Sequence, residues 1–201
     1  MADTYLYFAE LERSERAGID YGIRLRRAKP EFAIVAPHGG GIEPGTSEIA
    51  DAIAGEQWSF YTLEGLKSSG NAVLHITSTR FDEPMCLTLV GRSSVVLTVH
   101  GEESGGPDGV VFIGGRDTAL GASVRNELTE DGFLVREHED PNLQGTDPKN
   151  ICNRGTSGAG VQLELSRSVR ESMFESLTKK GRERPTERFD VFVKAVRRVL
   201  G

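Results

Sequence analysis

Cysteine is scarce: Cys86 and Cys152 are the only two in 201 residues. A lone, widely spaced pair builds neither a disulfide framework nor a Cys-x-x-Cys metal knuckle. Cys86 lies in the apolar stretch MCLTLV and reads as a small buried hydrophobe, and Cys152 in NICNRG reads as packing rather than as a nucleophile. Positive charge is also short, with 24 Lys and Arg against 30 Asp and Glu and a net charge of −6. That balance argues against a nucleic-acid binder, which normally carries a basic excess. No apolar run approaches the ~20 residues that a membrane helix needs. The start, MADTYLYFAELERSE, has no basic segment followed by an apolar one, so no signal peptide is read and synthesis is expected in the cytoplasm. No GxxxxGK[ST] phosphate loop and no internal repeat is present.

The length suits one α/β domain over residues 1–201. Apolar or β-branched runs predict strands over 31–37, 59–65, 72–79, 93–101, 109–115, 133–138 and 160–166, with the apolar 85–90 lying between two of them in a hairpin-like cluster. Helical spacing predicts helices over 5–16, 45–55, 116–132, 167–179 and 186–199. Thr46 or Ser47 is the expected N-cap of the second helix and Gly55 its C-cap. Interleaved strands and helices, with several runs lacking alternation, predict a mixed sheet flanked by helices on both faces.

Four histidines are present, and His38, His75 and His100 sit at or near predicted strand ends, where α/β sheets build their sites. The segment VAPHGGGIEPGTSE places His38 five residues before Glu43, with Gly39, Gly40 and Gly41 between them to let the backbone fold back. Those two side chains supply two ligands of a zinc site from one loop, and a third comes from a distant strand end, His100 first and His75 second. A hydrolytic zinc site also needs a proton-transfer group beside the ion. Glu164, in the alternating strand GVQLELS, is the best candidate. A nucleophilic-serine reading of GTSGA around Ser157 fails, because no histidine follows His138 to act as its base. Arg116, in the glycine-rich GGRDTALG at a helix start, is a secondary candidate for contact with an anionic substrate.

Taken in order, APHGGGIEPGTSEIA, FYTLEGLKSSGNAVLHITSTRFDEP, VHG, IGGRD and NICNRGTSGAGVQLELS resemble the poly-γ-glutamate hydrolase family of bacteriophages and bacilli. The resemblance spans roughly residues 31–170. It implies a zinc carboxypeptidase-like α/β fold and cleavage of γ-glutamyl amide bonds in poly-γ-glutamate. His38, Glu43 and His100 match the family's ligands to one zinc ion, and Glu164 matches its catalytic glutamate. The pair Asn153–Arg154 resembles the carboxylate-holding Asn-Arg pair of zinc carboxypeptidases, and an arginine fork suits the free α-carboxylates of the polymer. His75 and Arg80 are further candidates for contact with a metal ligand or with substrate, and Glu102 and Glu103 either orient His100 or face solvent. A polyanionic substrate also calls for a locally basic groove on this acidic chain. The rival readings are a zinc-dependent N-acetylmuramoyl-L-alanine amidase acting on peptidoglycan, and a phage or host interaction protein without catalysis. For a phage product, release by host lysis would bring the enzyme to an extracellular polymer.

Overall fold

Residues 33–36 of the run EFAIVAP are wholly buried, because they lie within parallel strands covered on both faces. The computed structural model describes residues 3–103 and 109–201. Its strands are β1 (Tyr21–Arg26), β2 (Lys29–Gly40), β3 (Trp58–Gly65), β4 (Val95–Glu102), β5 (Val111–Gly115), β6 (Val135–Arg136) and β7 (Val161–Ser166). Its α-helices are α1 (Phe8–Ser14), α2 (Thr46–Ala54), α3 (Pro84–Val90), α4 (Thr118–Glu130), α5 (Arg167–Ser172) and α6 (Glu187–Leu200). The strands form one seven-stranded sheet ordered β1-β3-β2-β4-β7-β5-β6.

Alternate residues of the central strands feed two cores. Ile34, Phe60, Leu97, Val99 and Leu163 pack beneath α2, α4 and α6 on one face. Ala33, Val35, Tyr61 and Leu63 pack beneath α1 and α3 on the other. The helix α6 buries Phe189, Phe192, Val193, Val196 and Leu200, a spacing that lays one apolar stripe on the sheet.

β3, β2, β4 and β7 run parallel, so their C-terminal ends share one edge of the sheet. From β2 the chain crosses through α2 to β3 on one side, whereas β4 lies on the other side. The ends of β2 and β4 therefore diverge over a crevice, the place where open α/β sheets hold ligands.

The sheet is mixed, as expected, but not because of a hairpin near 85–100. Residues 85–90 belong to α3: Pro84 opens the helix and the Glu83 carboxylate accepts the N–H groups of Met85 and Cys86. The antiparallel members are β1 against β3 and β5 against β7. The predicted strand over 72–79 is instead a 3-10 turn, Asn71–Leu74, followed by irregular chain. The edge strand β1 was not anticipated. The predicted helix over 167–179 stops at Ser172, where Met173 and Phe174 turn into the core. At the start of α2 the N-cap is Gly45, at φ 102°. The hydroxyls expected to cap it work elsewhere: Thr46 donates to the Glu43 carbonyl, and Ser47 accepts the Gly40 N–H.

Candidate metal centre

His38 reaches the crevice through an irregularity in β2. Between Ala36 and Gly39 the pairing with β3 slips by one residue, and such bulges re-aim side chains beside functional sites. The glycines that follow are sterically required. A Cβ on Gly39 would stand 2.1 Å from Ser47 Oγ and 2.2 Å from Thr62 Oγ1. Gly40 has φ 62° and lies against the backbone of Gly65. The loop then folds back, and the Glu43 N–H donates to the His38 carbonyl at 2.9 Å. Glu43 Oε2 accepts the N–H of Gly101 at 2.8 Å, which ties the loop to β4 next to His100.

Three donor groups meet there. His38 Nδ1 lies 3.0 Å from Glu43 Oε1. His100 Nδ1 lies 3.2 Å from His38 Nδ1 and 3.8 Å from Glu43 Oε2. Ligands of a tetrahedral zinc at 2.0–2.1 Å stand roughly 3.3 Å apart, which these spacings approach. His38 Nε2 lies 2.8 Å from the Ile76 carbonyl, which only accepts, so the proton of the neutral ring sits on Nε2 and the lone pair on Nδ1. That lone pair faces a carboxylate and a second imidazole, an arrangement that needs a cation, either a proton or a metal, among the three groups. His100 Nε2 is buried without a hydrogen-bond partner among the described residues. The residues present therefore fit a metal ion.

The electrostatics agree with this crowding. Burial works against charge on His38, but the charge and hydrogen bond of Glu43 outweigh it and raise its pKa. Burial likewise opposes ionisation of Glu43, but the facing imidazoles, His38 foremost, lower it to about 2. Burial lowers His100 to about 3, against the pull of Glu43.

His75 follows the 3-10 turn and approaches from the opposite wall. Its ring centroid is 4.0 Å from that of His38, and its Nε2 is 3.9 Å from Glu43 Oε1. The charge of His38, then burial, lower its pKa. His38, Glu43 and His75 also satisfy metal-ligand spacing as a group, so His75 and His100 both stand within reach of the centre. Glu164 lies on β7 directly across from His100 in the parallel register. Burial raises its carboxyl well above the usual range, with Glu43 and Glu102 adding to the effect. Its Oε1 accepts from Gln162 Nε2 at 2.9 Å. Gln162 is oriented in turn, since its Nε2 also donates to the Leu143 carbonyl and its Oε1 accepts from Asn150.

A cavity of about 520 Å³ opens over these groups. The structure thus brings His38, Glu43, His75, His100 and Glu164 together. It does not bring Arg154, Asn153 or Arg116 to the cavity wall. Arg116 follows β5, which runs antiparallel to β7, and so projects at the edge where β7 begins. Asn153 is buried and occupied: Nδ2 donates to the carbonyls of Gly145 and Asp147, and Oδ1 accepts from Arg116 N and Gly160 N. Arg154 is exposed, with Nη1 on the Phe81 carbonyl. Nor is the wall basic: it carries Asp3, Glu43, Glu102, Glu103 and Glu164 and no Lys or Arg among the described residues. Glu103 turns to Arg170 and Arg167 rather than to His100. Sequence reasoning missed Asp3 and Gln162. Gln162 had a signal, because it shares the Glu164 face of an alternating strand, whereas nothing local marks Asp3.

Comparison with known proteins gives a consistent result. A family model described as Poly-gamma-glutamate hydrolase matches residues 5–195. YndL of Bacillus subtilis (strain 168) is 38% identical over 200 residues, covering 98% of this chain and 78% of YndL. The SPbeta prophage-derived protein YoqZ of the same strain is 40% identical over 182 residues, covering 90% of this chain and 65% of YoqZ. The solved structure of a bacteriophage poly-gamma-glutamate hydrolase superposes with a TM-score of 0.95 at 34% identity, covering 99% of this chain and 97% of that one. A zinc-free apo structure of YndL gives a TM-score of 0.91 at 37% identity, covering 99% and 98%. With its fold and nearly its whole length matched, the chain belongs to the poly-gamma-glutamate hydrolase family.

Proposed function

We propose that the chain hydrolyses the γ-glutamyl amide bonds of poly-γ-glutamate at a zinc centre held by His38, Glu43 and His100, with Glu164 carrying the proton. The observation behind this reading is the meeting of His38 Nδ1, His100 Nδ1 and the Glu43 carboxylate at 3.0–3.8 Å, one strand from a buried carboxyl group. Two imidazoles and one carboxylate suit a catalytic zinc and leave a position open. That a YndL structure is described as zinc-free supports zinc as the metal. A zinc ion bound there supplies Lewis acidity toward the amide carbonyl and an activated water.

The protein's own groups do the rest. Glu164 accepts the proton of the attacking water and returns it to the leaving amine. Burial favours the protonated carboxyl in the metal-free protein, and a dication held by His38, Glu43 and His100 would favour the ionised, proton-accepting form. Gln162 fixes the direction of the Glu164 carboxyl, and Asn150 fixes Gln162. His75 lines the wall where the amide must lie, and Thr77, Ser78, Thr79 and Asn142 extend it with polar groups for the polymer's carboxylates.

The test is loss of polymer length on a gel, with purified protein, chelator, zinc add-back and Glu164→Gln. Cleavage that is lost with chelator, recovered with zinc and absent in the variant supports the reading. No cleavage by folded, zinc-loaded protein would overturn the substrate, and peptidoglycan run alongside would then decide for or against an amidase.

A further inference from the structure

We propose that Asp3 is a positioning residue of this site, fixing the tautomer of His75 so that Nε2 meets the cavity as a hydrogen-bond acceptor. The Asp3 side chain is only 1% exposed. Its Oδ2 accepts from the backbone N–H of Thr77 and from Arg80 Nη2, both at 2.9 Å. Its Oδ1 lies 2.7 Å from His75 Nδ1. An ionised carboxylate only accepts, so the one N–H of neutral His75 sits on Nδ1. Nε2 then carries a lone pair, 3.9 Å from Glu43 Oε1 and on the cavity wall.

The segment is tied to the wall it orders: a few residues beyond Asp3, the Phe8 N–H donates to Asp82 Oδ1 at 2.7 Å. Asp3 lies 72 residues from His75 in sequence and far from every other site residue, so its burial beside the metal donors is a product of the fold alone. Resting on the hydrolase reading above, the acceptor at Nε2 takes an N–H of the γ-glutamyl amide and places the scissile bond beside His38 and Glu43. The same carboxylate thereby sets which hydrogen-bonding pole of His75 the substrate meets.

The two fixed donors on Oδ2 make one substitution decisive. In Asp3→Asn the amide oxygen must turn toward Thr77 N and Arg80, because both only donate. The amide NH₂ then faces His75 Nδ1 and forces the proton onto Nε2. Long-range ¹H–¹⁵N spectra of the zinc-loaded protein read the tautomer directly. The expected result is an Nδ1–H tautomer in the unsubstituted protein and Nε2–H in Asp3→Asn. The variant's kcat should fall by roughly tenfold or more, as a wrong tautomer does in other His–Asp pairs, with KM and the unfolding midpoint little changed. An Nε2–H tautomer in the unsubstituted protein overturns the proposal. So does unchanged kcat in a folded Asp3→Asn, or a fall in midpoint without a change of tautomer. Should Asp3→Asn fail to fold, the spectrum of the unsubstituted protein decides alone. Should that protein not cleave poly-γ-glutamate, the substrate reading fails while the spectrum still settles Asp3.

Discussion

Glu164 keeps its proton into a range where a free carboxylate has lost it, because burial raises its pKa well above 4.5. A carboxyl raised in the folded state contributes stability that is full below 4.5 and lost as pH climbs toward the folded value. Each unit of that climb is worth about 1.4 kcal/mol. Glu164→Gln removes the loss, so metal-free Glu164→Gln is expected to melt higher than the unsubstituted protein at pH 7 and equally at pH 4. At roughly 2–4 °C per kcal/mol for a chain this size, scanning calorimetry resolves the difference. The same variant should lose roughly 10²–10⁴ in kcat, the usual worth of a proton-transfer group. Asp3 has the opposite sign. Burial would raise it, but hydrogen bonds from Thr77 and His75 hold it below 3.8, so its contribution is present above that value and fades only as pH falls through the lower, folded one. His38 and Glu43 were legible in the sequence because a turn needs neither a histidine nor a carboxylate after an apolar strand. Asp3 was not, since only the tertiary fold carries it to His75. Arg154 stands exposed on the Phe81 carbonyl and does not line the cavity, because a motif specifies residue types but not the surface they face.

Arg170, on α5, shows how whole elements aim the site. Its guanidinium is fully buried and donates to the carbonyls of Leu165, Pro44 and Glu102 and to Glu103 Oε1. It joins β7, the Glu43 loop and the end of β4, and Gly101 leaves it room, since a Cβ there would stand 2.8 Å from Arg170 Cζ. Groups bonded directly to metal ligands are commonly worth 10–100-fold in metal affinity, and Arg170 acts one step further out, through the backbone beside Glu43. Arg170→Met should therefore weaken zinc binding by about the lower end of that range in competition with a chelating dye, and Arg170→Lys should restore little, because one ammonium cannot span the fork. In β2, Gly39→Ala should lower stability by about 1–3 kcal/mol in urea unfolding, since the added methyl meets two buried hydroxyls. In the parallel core β2, β3 and β4 were legible as apolar or β-branched runs, and β7 by its alternation. The helix α3 was not, because its apolar composition is shared with strands and only Glu83 and Pro84, acting as cap and first residue, decide between them. β1 escaped notice because an edge strand is only half buried and its alternation is short.

For the whole molecule, a zinc ion held by His38, Glu43 and His100 would link metal binding to folding. If the metal binds only the native state, zinc at 100 times its Kd adds about 2.7 kcal/mol, or roughly 5–10 °C in melting temperature. Differential scanning with and without chelator checks this, and equal midpoints would argue against a site formed by folding. The acidic cavity wall extends the linkage to the substrate. No Lys or Arg lines that wall among the described residues, so a zinc ion held there would be the cavity's principal cationic attraction. Whatever factor zinc adds to the protein's grip on the polymer, the polymer must add to its grip on zinc. Protein engaged with poly-γ-glutamate would then keep its metal at free-zinc levels where idle protein surrenders it, and the substrate would act as guardian of the ion that cuts it.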